Sequence, residues 1–296
     1  MVRISVFLFV ICLLTSCDKD DNNGEIVTSS ETDTTVALCN SVLEFLPAPG
    51  QFVNEGYTCR SQTEANAYAL DRITSGAYVS LGSFGGRIVV GFDHSIRNSG
   101  GDYDIAVGGN STVAFSEPGV VWVMQDANGD GIPNDGWHEL RGAKSDSVGT
   151  IKNYAVTYYR PVENCPTPWT DNMGLSGSVR YLSAYHRQEY YYPLWVESDQ
   201  YTLSGTRLAS QAVDVSGEGR MWTSPNYGWG YADNYSEERT SDGKNLFRIA
   251  DADTVLAVVD FVMVQSAVLD SCGWIGEVST EVTGVWDYHL LNPIGE

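Results

Sequence analysis

Val120-Val121-Trp122-Val123-Met124 opens the segment that decides the fold. One residue later comes Asp126-Ala127-Asn128-Gly129-Asp130-Gly131-Ile132-Pro133-Asn134-Asp135. A β-branched and aromatic run that breaks into a cluster of Gly, Asn and Asp predicts a strand entering a turn. Arg87-Ile88-Val89-Val90-Gly91-Phe92, Tyr154 to Tyr159 and Val255 to Val264 have the same character. Within the last of these, Val255-Leu256-Ala257-Val258-Val259 is continuously apolar, which predicts a central strand buried on both faces. One helix is signalled: Ser61 and Glu64 are spaced as a capping box, Ala65 to Ile73 are mostly helix formers, and Gly76 follows. Many short strands, 30 glycines and little helix predict an all-β chain. The expected form is an antiparallel β-sandwich or jelly roll with one short helix and a hairpin carrying the 126–135 loop.

That loop is the sharpest chemical signal. Asp126, Asn128 and Asp130 place oxygen side chains at its first, third and fifth positions, where they converge on a hard cation. Gly131 at the sixth position permits a sharp turn, and Ile132 at the seventh offers its carbonyl. Asn134 lies in the same loop, and Asp135, Glu139 or water must complete the shell, so calcium in a structural role is the expected cofactor. An EF-hand is excluded. Trp137 stands where that motif needs a bidentate Glu, and a strand precedes the loop instead of a helix. The same Asn-Gly and Asp-Gly dipeptides also make a polar hairpin turn without metal.

The chain has 296 residues, with 38 acidic side chains against 17 basic ones, a formal charge of −21. Such a surface repels phosphate backbones, so nucleic acid is a poor partner, whereas cations and neutral ligands are compatible with it. An apolar stretch from Ile4 to Leu14 follows Arg3 and precedes Leu14-Thr15-Ser16-Cys17. It has the length of a signal-peptide core and is too short to span a bilayer. Small residues before Cys17 resemble a bacterial lipobox, with Cys17 as the lipidated residue. The acidic run Asp18-Lys19-Asp20-Asp21 resembles the signal that sends Bacteroidota lipoproteins to the outer face of the outer membrane. The expected organisation is a signal peptide at 1–16, a lipidated cysteine with a disordered tether at 17–40, and one β-sandwich domain at 41–296. Cys39, Cys59, Cys165 and Cys272 then lie in a compartment that permits disulfides, and at least one pairing among three possible connectivities is expected.

No HExxH, GxSxG, Walker or GxGxxG motif is present, and Asp93-His94 and His138-Glu139 are strand neighbours expected to point apart. Glu277 and Glu281 lie close to Cys272-Gly273-Trp274, with nothing in the sequence beyond that proximity to mark them as catalytic. The common motif-bearing hydrolases and nucleotide binders therefore lose support. A glycosidase-type carboxylate pair stays open, and a glycoside hydrolase or lyase ranks below a binding protein. The binding protein's candidate contact residues lie among the glycines of 217–235: Arg220, Trp222, Tyr227, Trp229 and Tyr231. Flat amphipathic rings on such a backbone suit stacking on a corrin, a sugar or a heterocycle. The alternative is a long loop whose aromatics cover the end of the sandwich. Tyr190 to Trp195 reads as core, because a strand follows closely.

A further resemblance runs in order through nearly all of the chain from residue 43. It is carried by Phe45-Leu46-Pro47-Ala48-Pro49-Gly50-Gln51-Phe52-Val53-Asn54, Leu81 to Gly86, Gly91 to Ile96, Ser116 to Val121 and Asp126 to Leu140. It continues through Thr157 to Pro161, Tyr192 to Trp195, Trp229 to Asn234 and Cys272 to Glu277. In these motifs the chain resembles the cobalamin-binding cell-surface lipoproteins of Bacteroidota. The resemblance implies a non-enzymatic protein that captures cobalamin or a related corrinoid and passes it to an outer-membrane transporter. A calcium-stabilised carbohydrate-binding module or glycan-uptake lipoprotein is the second expectation.

Overall fold

The computed structural model describes residues 35–293. The predicted signal peptide, Cys17 and the tether as far as residue 34 lie outside the described residues. Ordered pairing begins earlier than the expected boundary at 41, since Leu38 bridges Trp286 and the Cys39 amide donates to the Val285 carbonyl at 2.8 Å.

The chain is all-β and antiparallel. A five-stranded sheet has the order Ser41–Leu46, Arg87–Arg97, Val258–Ser266, Gly119–Met124, His138–Glu139. Across the core lies a three-stranded sheet of Lys244–Phe247, Ile105–Gly108 and Gly284–Asp287. Alternation decides which side chains meet. Ile88, Val90, Val121, Val123, Val262 and Val264 of the first sheet share one apolar cluster with Ile105, Val107, Phe247 and Val285 of the second. The helix Gln62–Thr74 adds Ala65, Ala69 and Ile73 to that cluster. Ser61 caps it as the spacing predicts, its Oγ accepting from the Glu64 amide at 3.2 Å. A second, four-residue helix closes the described chain at Tyr288–Leu291.

A four-stranded sheet (Gln200–Arg207, Ile151–Tyr159, Thr167–Asp171, Ser176–Val179) gathers a second core of Phe84, Tyr154, Val156, Tyr158, Tyr192 and Leu203. Tyr191, Tyr192 and Trp195 are buried, as expected for core residues.

The central strand of the large sheet starts later than its apolar run. It opens at Val258, while Val255 is 96 % exposed. The continuously buried part is Phe261–Ser266, where strands pair on both sides. Apolar character alone did not bury Val255, because no neighbouring strand reaches it.

The expected disulfide is not formed. Cys39, Cys59, Cys165 and Cys272 are free thiols. Cys39 and Cys59 pack in the main core, Cys272 lies in a separate cluster, and Cys165 is exposed. Burial pushes the Cys39 thiol up to about 11 and Cys272 to about 12, so both are held as inert thiols.

Candidate functional site: a cleft under the 126–135 hairpin

The strand Gly119–Met124 and the short strand His138–Glu139 pair as a hairpin, with Trp122 opposite Glu139 and Val123 opposite His138. The polar loop is therefore the hairpin's tip. Its side chains fold back on its own backbone. Asp126 accepts from the amides of Gly129 (2.9 Å), Asp130 (3.2 Å) and Gly131 (2.8 Å). Asn128 accepts from the Asp130 amide and Asp130 from the Ile132 amide, each at 2.8 Å. The Asn134 amide group donates to Asp130 at 3.1 Å and accepts from Asn128 at 3.4 Å. Asp135 closes the loop by accepting from the Ala127 amide at 3.1 Å, and the Ile132 carbonyl takes the Asn134 amide at 2.8 Å. The loop is anchored below, where the Asp126 amide donates to Asp260 of the central strand at 2.7 Å.

The six predicted ligands thus lie together on this one hairpin tip, where their oxygens accept from the loop's own amides. The Asn134 side chain and the Ile132 amide hold the Asp130 carboxyl below its ordinary value, which keeps it ionised.

The loop also roofs a cleft of about 690 Å³ on the outer face of the large sheet. Gly131, Ile132, Pro133 and Trp137 form one wall, and Leu43, Val89 and Met263 form an apolar floor. Polar groups interrupt this floor. Arg87 makes a two-pronged ion pair with Glu44 at 2.7 and 2.9 Å, bridging neighbouring strands. Gln62 lines one side. Gln265 donates to the Ser204 carbonyl at 2.8 Å, while its Oε1 is buried without a partner. A wide apolar cleft with a few fixed polar groups is the form that small-molecule sites take.

The aromatic candidates are not brought together as a binding face. Tyr227 and Tyr231 are buried, at 1 % and 2 % exposure, in a core with Val120, Leu208, Ala267 and Val278. Their hydroxyls accept from the amides of Gln211 (2.9 Å) and Lys144 (3.0 Å), so their polar ends serve the fold. Trp222 is half-buried against the same core, packed on Gly273. Arg220 and Trp229 are exposed, and Arg220 pairs with Glu218 at 3.3 Å. None of the five lines the 690 Å³ cleft. For the two tyrosines the expected ligand role is corrected to a packing role: the glycines bend the segment inward, and the sandwich end needs covering.

Sequence reading also missed a carboxylate network. Glu117, Asp233 and Glu281 bring oxygens within 4.8 Å of one another, the one such acidic trio among the described residues. Asp233 accepts from the amides of Asn110 (2.8 Å) and Glu281 (3.0 Å), and Glu117 accepts from the Ser279 amide at 3.1 Å. Burial, followed by repulsion from Asp233, pushes Glu117 up to about 8. Burial also lifts Asp233 to about 6 and Glu281 well above the ordinary range. Burial thus favours the protonated form of each of the three.

Of the two histidine pairs, Asp93-His94 departs from expectation and His138-Glu139 keeps to it. His94 accepts or donates at both ring nitrogens, 2.7 Å from Asp93 and 3.0 Å from Asp287. The neighbours meet because the register of this strand against the central strand breaks between the Ile96 and Gly91 pairings. His138 turns to Asp253 at 2.7 Å instead of to Glu139.

No protein-family model matches the chain, and no curated protein gives a significant match.

Proposed function

We propose that this is a lipid-anchored protein of the outer cell surface that binds a nutrient, cobalamin or a related corrinoid, without transforming it, and hands it to an outer-membrane transporter. The lipobox-like Leu14-Thr15-Ser16-Cys17 supports the anchor and the acidic run after it supports the outward location. The observation that carries the binding reading is the 690 Å³ cleft. A corrin is large and flat with amide arms. An apolar floor of Leu43, Val89 and Met263, edged by Gln62, Gln265 and the Arg87–Glu44 pair, offers area for the ring and partners for the amides. Calcium at Asp126, Asn128, Asp130, Ile132, Asn134 and Asp135 would stiffen the roof and spare the ligand the entropy of ordering it. Trp137 in the wall favours a second reading, a calcium-stabilised carbohydrate binder, because an indole face stacks on sugar rings.

Calorimetry of the purified chain separates the two. Cyanocobalamin should bind saturably, and Trp137→Ala should weaken it about tenfold, the loss of roughly 1.4 kcal/mol of stacking and packing. Calcium chelation should lower the affinity of the wild type. Saturable binding of a glycan with none of any corrinoid would move the assignment to the second reading. Turnover of a substrate would overturn both.

A further inference from the structure

A second pocket, of about 270 Å³, opens between the helix Gln62–Thr74, the turn at 52–57 and the segment 78–80, and it shares no lining residue with the cleft. Phe45 and Ser80 are buried and form its floor, while Glu55 and Gly56 are exposed and form its rim. Phe52, Tyr57, Tyr68 and Tyr78 make the walls. The rings brace one another. Tyr57 stacks on Tyr68 with centroids 3.9 Å apart, and Phe52 meets Tyr78 edge-on at 6.3 Å. Half-buried aromatics fixed around an open volume suit a flat apolar body.

Two opposite charges line this volume, and they are not paired with each other. Arg72 donates from Nε to the Tyr78 carbonyl at 3.1 Å, and its guanidinium lies 5.8 Å from the centre of the Tyr78 ring. Its two terminal nitrogens have no partner among the described residues, and neither is buried. Glu55 sets Oε1 2.8 Å from the His186 ring, and at 38 % exposure its side chain keeps open acceptor positions. Burial pushes the Tyr78 phenol up, with Glu281 and Glu55 adding to the shift and Arg72 opposing it, so both lining charges reach the same ring. Glu281, behind the floor, is held toward its neutral form by burial.

A ligand with a single charge answers one of these groups and faces the other across the pocket. A neutral ring uses neither. An α-amino acid carries a carboxylate and an ammonium on one carbon, so it answers both, and its side chain is left for the walls. A cavity of about 150 Å³ holds a benzene ring. At about 270 Å³ this pocket has room for the charged head as well. From this geometry we infer that the pocket is a second binding site, and that it takes a free aromatic α-amino acid as the zwitterion. The carboxylate accepts from the terminal nitrogens of Arg72, and the ammonium donates to Glu55 beside the tyrosine faces. The side-chain ring packs among Phe52, Tyr57 and Tyr68. The inference is independent of what the larger cleft binds.

Calorimetry of the full chain tests it, with phenylalanine, tyrosine and tryptophan as probes. The anionic control is 3-phenylpropionate, and the cationic control is phenethylamine. At least one amino acid should bind saturably, about tenfold or more tightly than either control, since each control lacks one charged hydrogen bond. Glu55→Gln, at an exposed position, should weaken amino-acid binding about tenfold and leave phenylpropionate binding no weaker. Arg72→Gln should weaken amino-acid and phenylpropionate binding by a similar factor. Trp137→Ala in the larger cleft should leave both unchanged. Absence of saturable binding by all three amino acids would overturn the inference. So would a control that binds as tightly as they do, unchanged amino-acid affinity in Glu55→Gln, or binding lost in Trp137→Ala.

Discussion

The 126–135 loop and the 217–235 segment are both glycine-rich and both look functional in the sequence, yet the fold treats them oppositely. The loop stays outside and satisfies its oxygens with its own amides. The segment turns Tyr227 and Tyr231 into a core and leaves Arg220, Trp229 and Tyr235 at the surface. The difference is one of range. Asp and Asn bond to backbone within the same ten-residue loop, so their arrangement is local. An aromatic ring gains stability wherever apolar area can be buried, and that place is set by distant chain.

The largest effect expected from this contrast is at Tyr231. Replacing its ring with Ala should cost about 3–5 kcal/mol, read by urea unfolding, because the residue is buried and Gly142 lies against its ring. A loss below about 1 kcal/mol would return Tyr231 to the candidates for ligand contact.

The next effect is in pH dependence, where aspartates from the two regions should act with opposite sign. Asp233, in the segment, has its carboxyl pushed up to about 6 by burial, and its neighbour Glu117 to about 8. A folded value above the unfolded one means the native state binds more protons. That stabilisation is fully present below the unfolded carboxyl range and is lost as pH rises through about 6 to 8. Asp130, in the loop, is lowered instead, so its contribution holds at neutral pH and is lost in acid. Urea midpoints should therefore fall between pH 6 and pH 9. Glu117→Gln should flatten that slope, and a slope that rises with pH would contradict the buried, protonated network.

Trp229 should show the smallest effect. At 38 % exposure, its replacement by Ala should change stability by no more than about 0.5 kcal/mol. A loss comparable to that at Tyr231 would erase the distinction between the two faces of the segment.

Legibility followed the same division. The Ser61 cap, the hairpin and the strand class were readable, since each rests on residues close in sequence. The cleft was not. Arg87 and Gln265 oppose each other across neighbouring strands although they lie far apart in the chain. Arg87 and Gln265, at the ends of the apolar stretches Ile88–Val90 and Phe261–Val264, were the signals that this face meets something other than core.

What the amino-acid order determined by itself was the alternation that makes sheets, the helix cap and the oxygen-lined turn, each governed by interactions within a few residues. What only the tertiary structure decided was which aromatics became core, which carboxylates lost their water, and where two cavities opened. Those outcomes depend on burial, and burial is a property of surfaces that meet only when the whole chain has closed on itself.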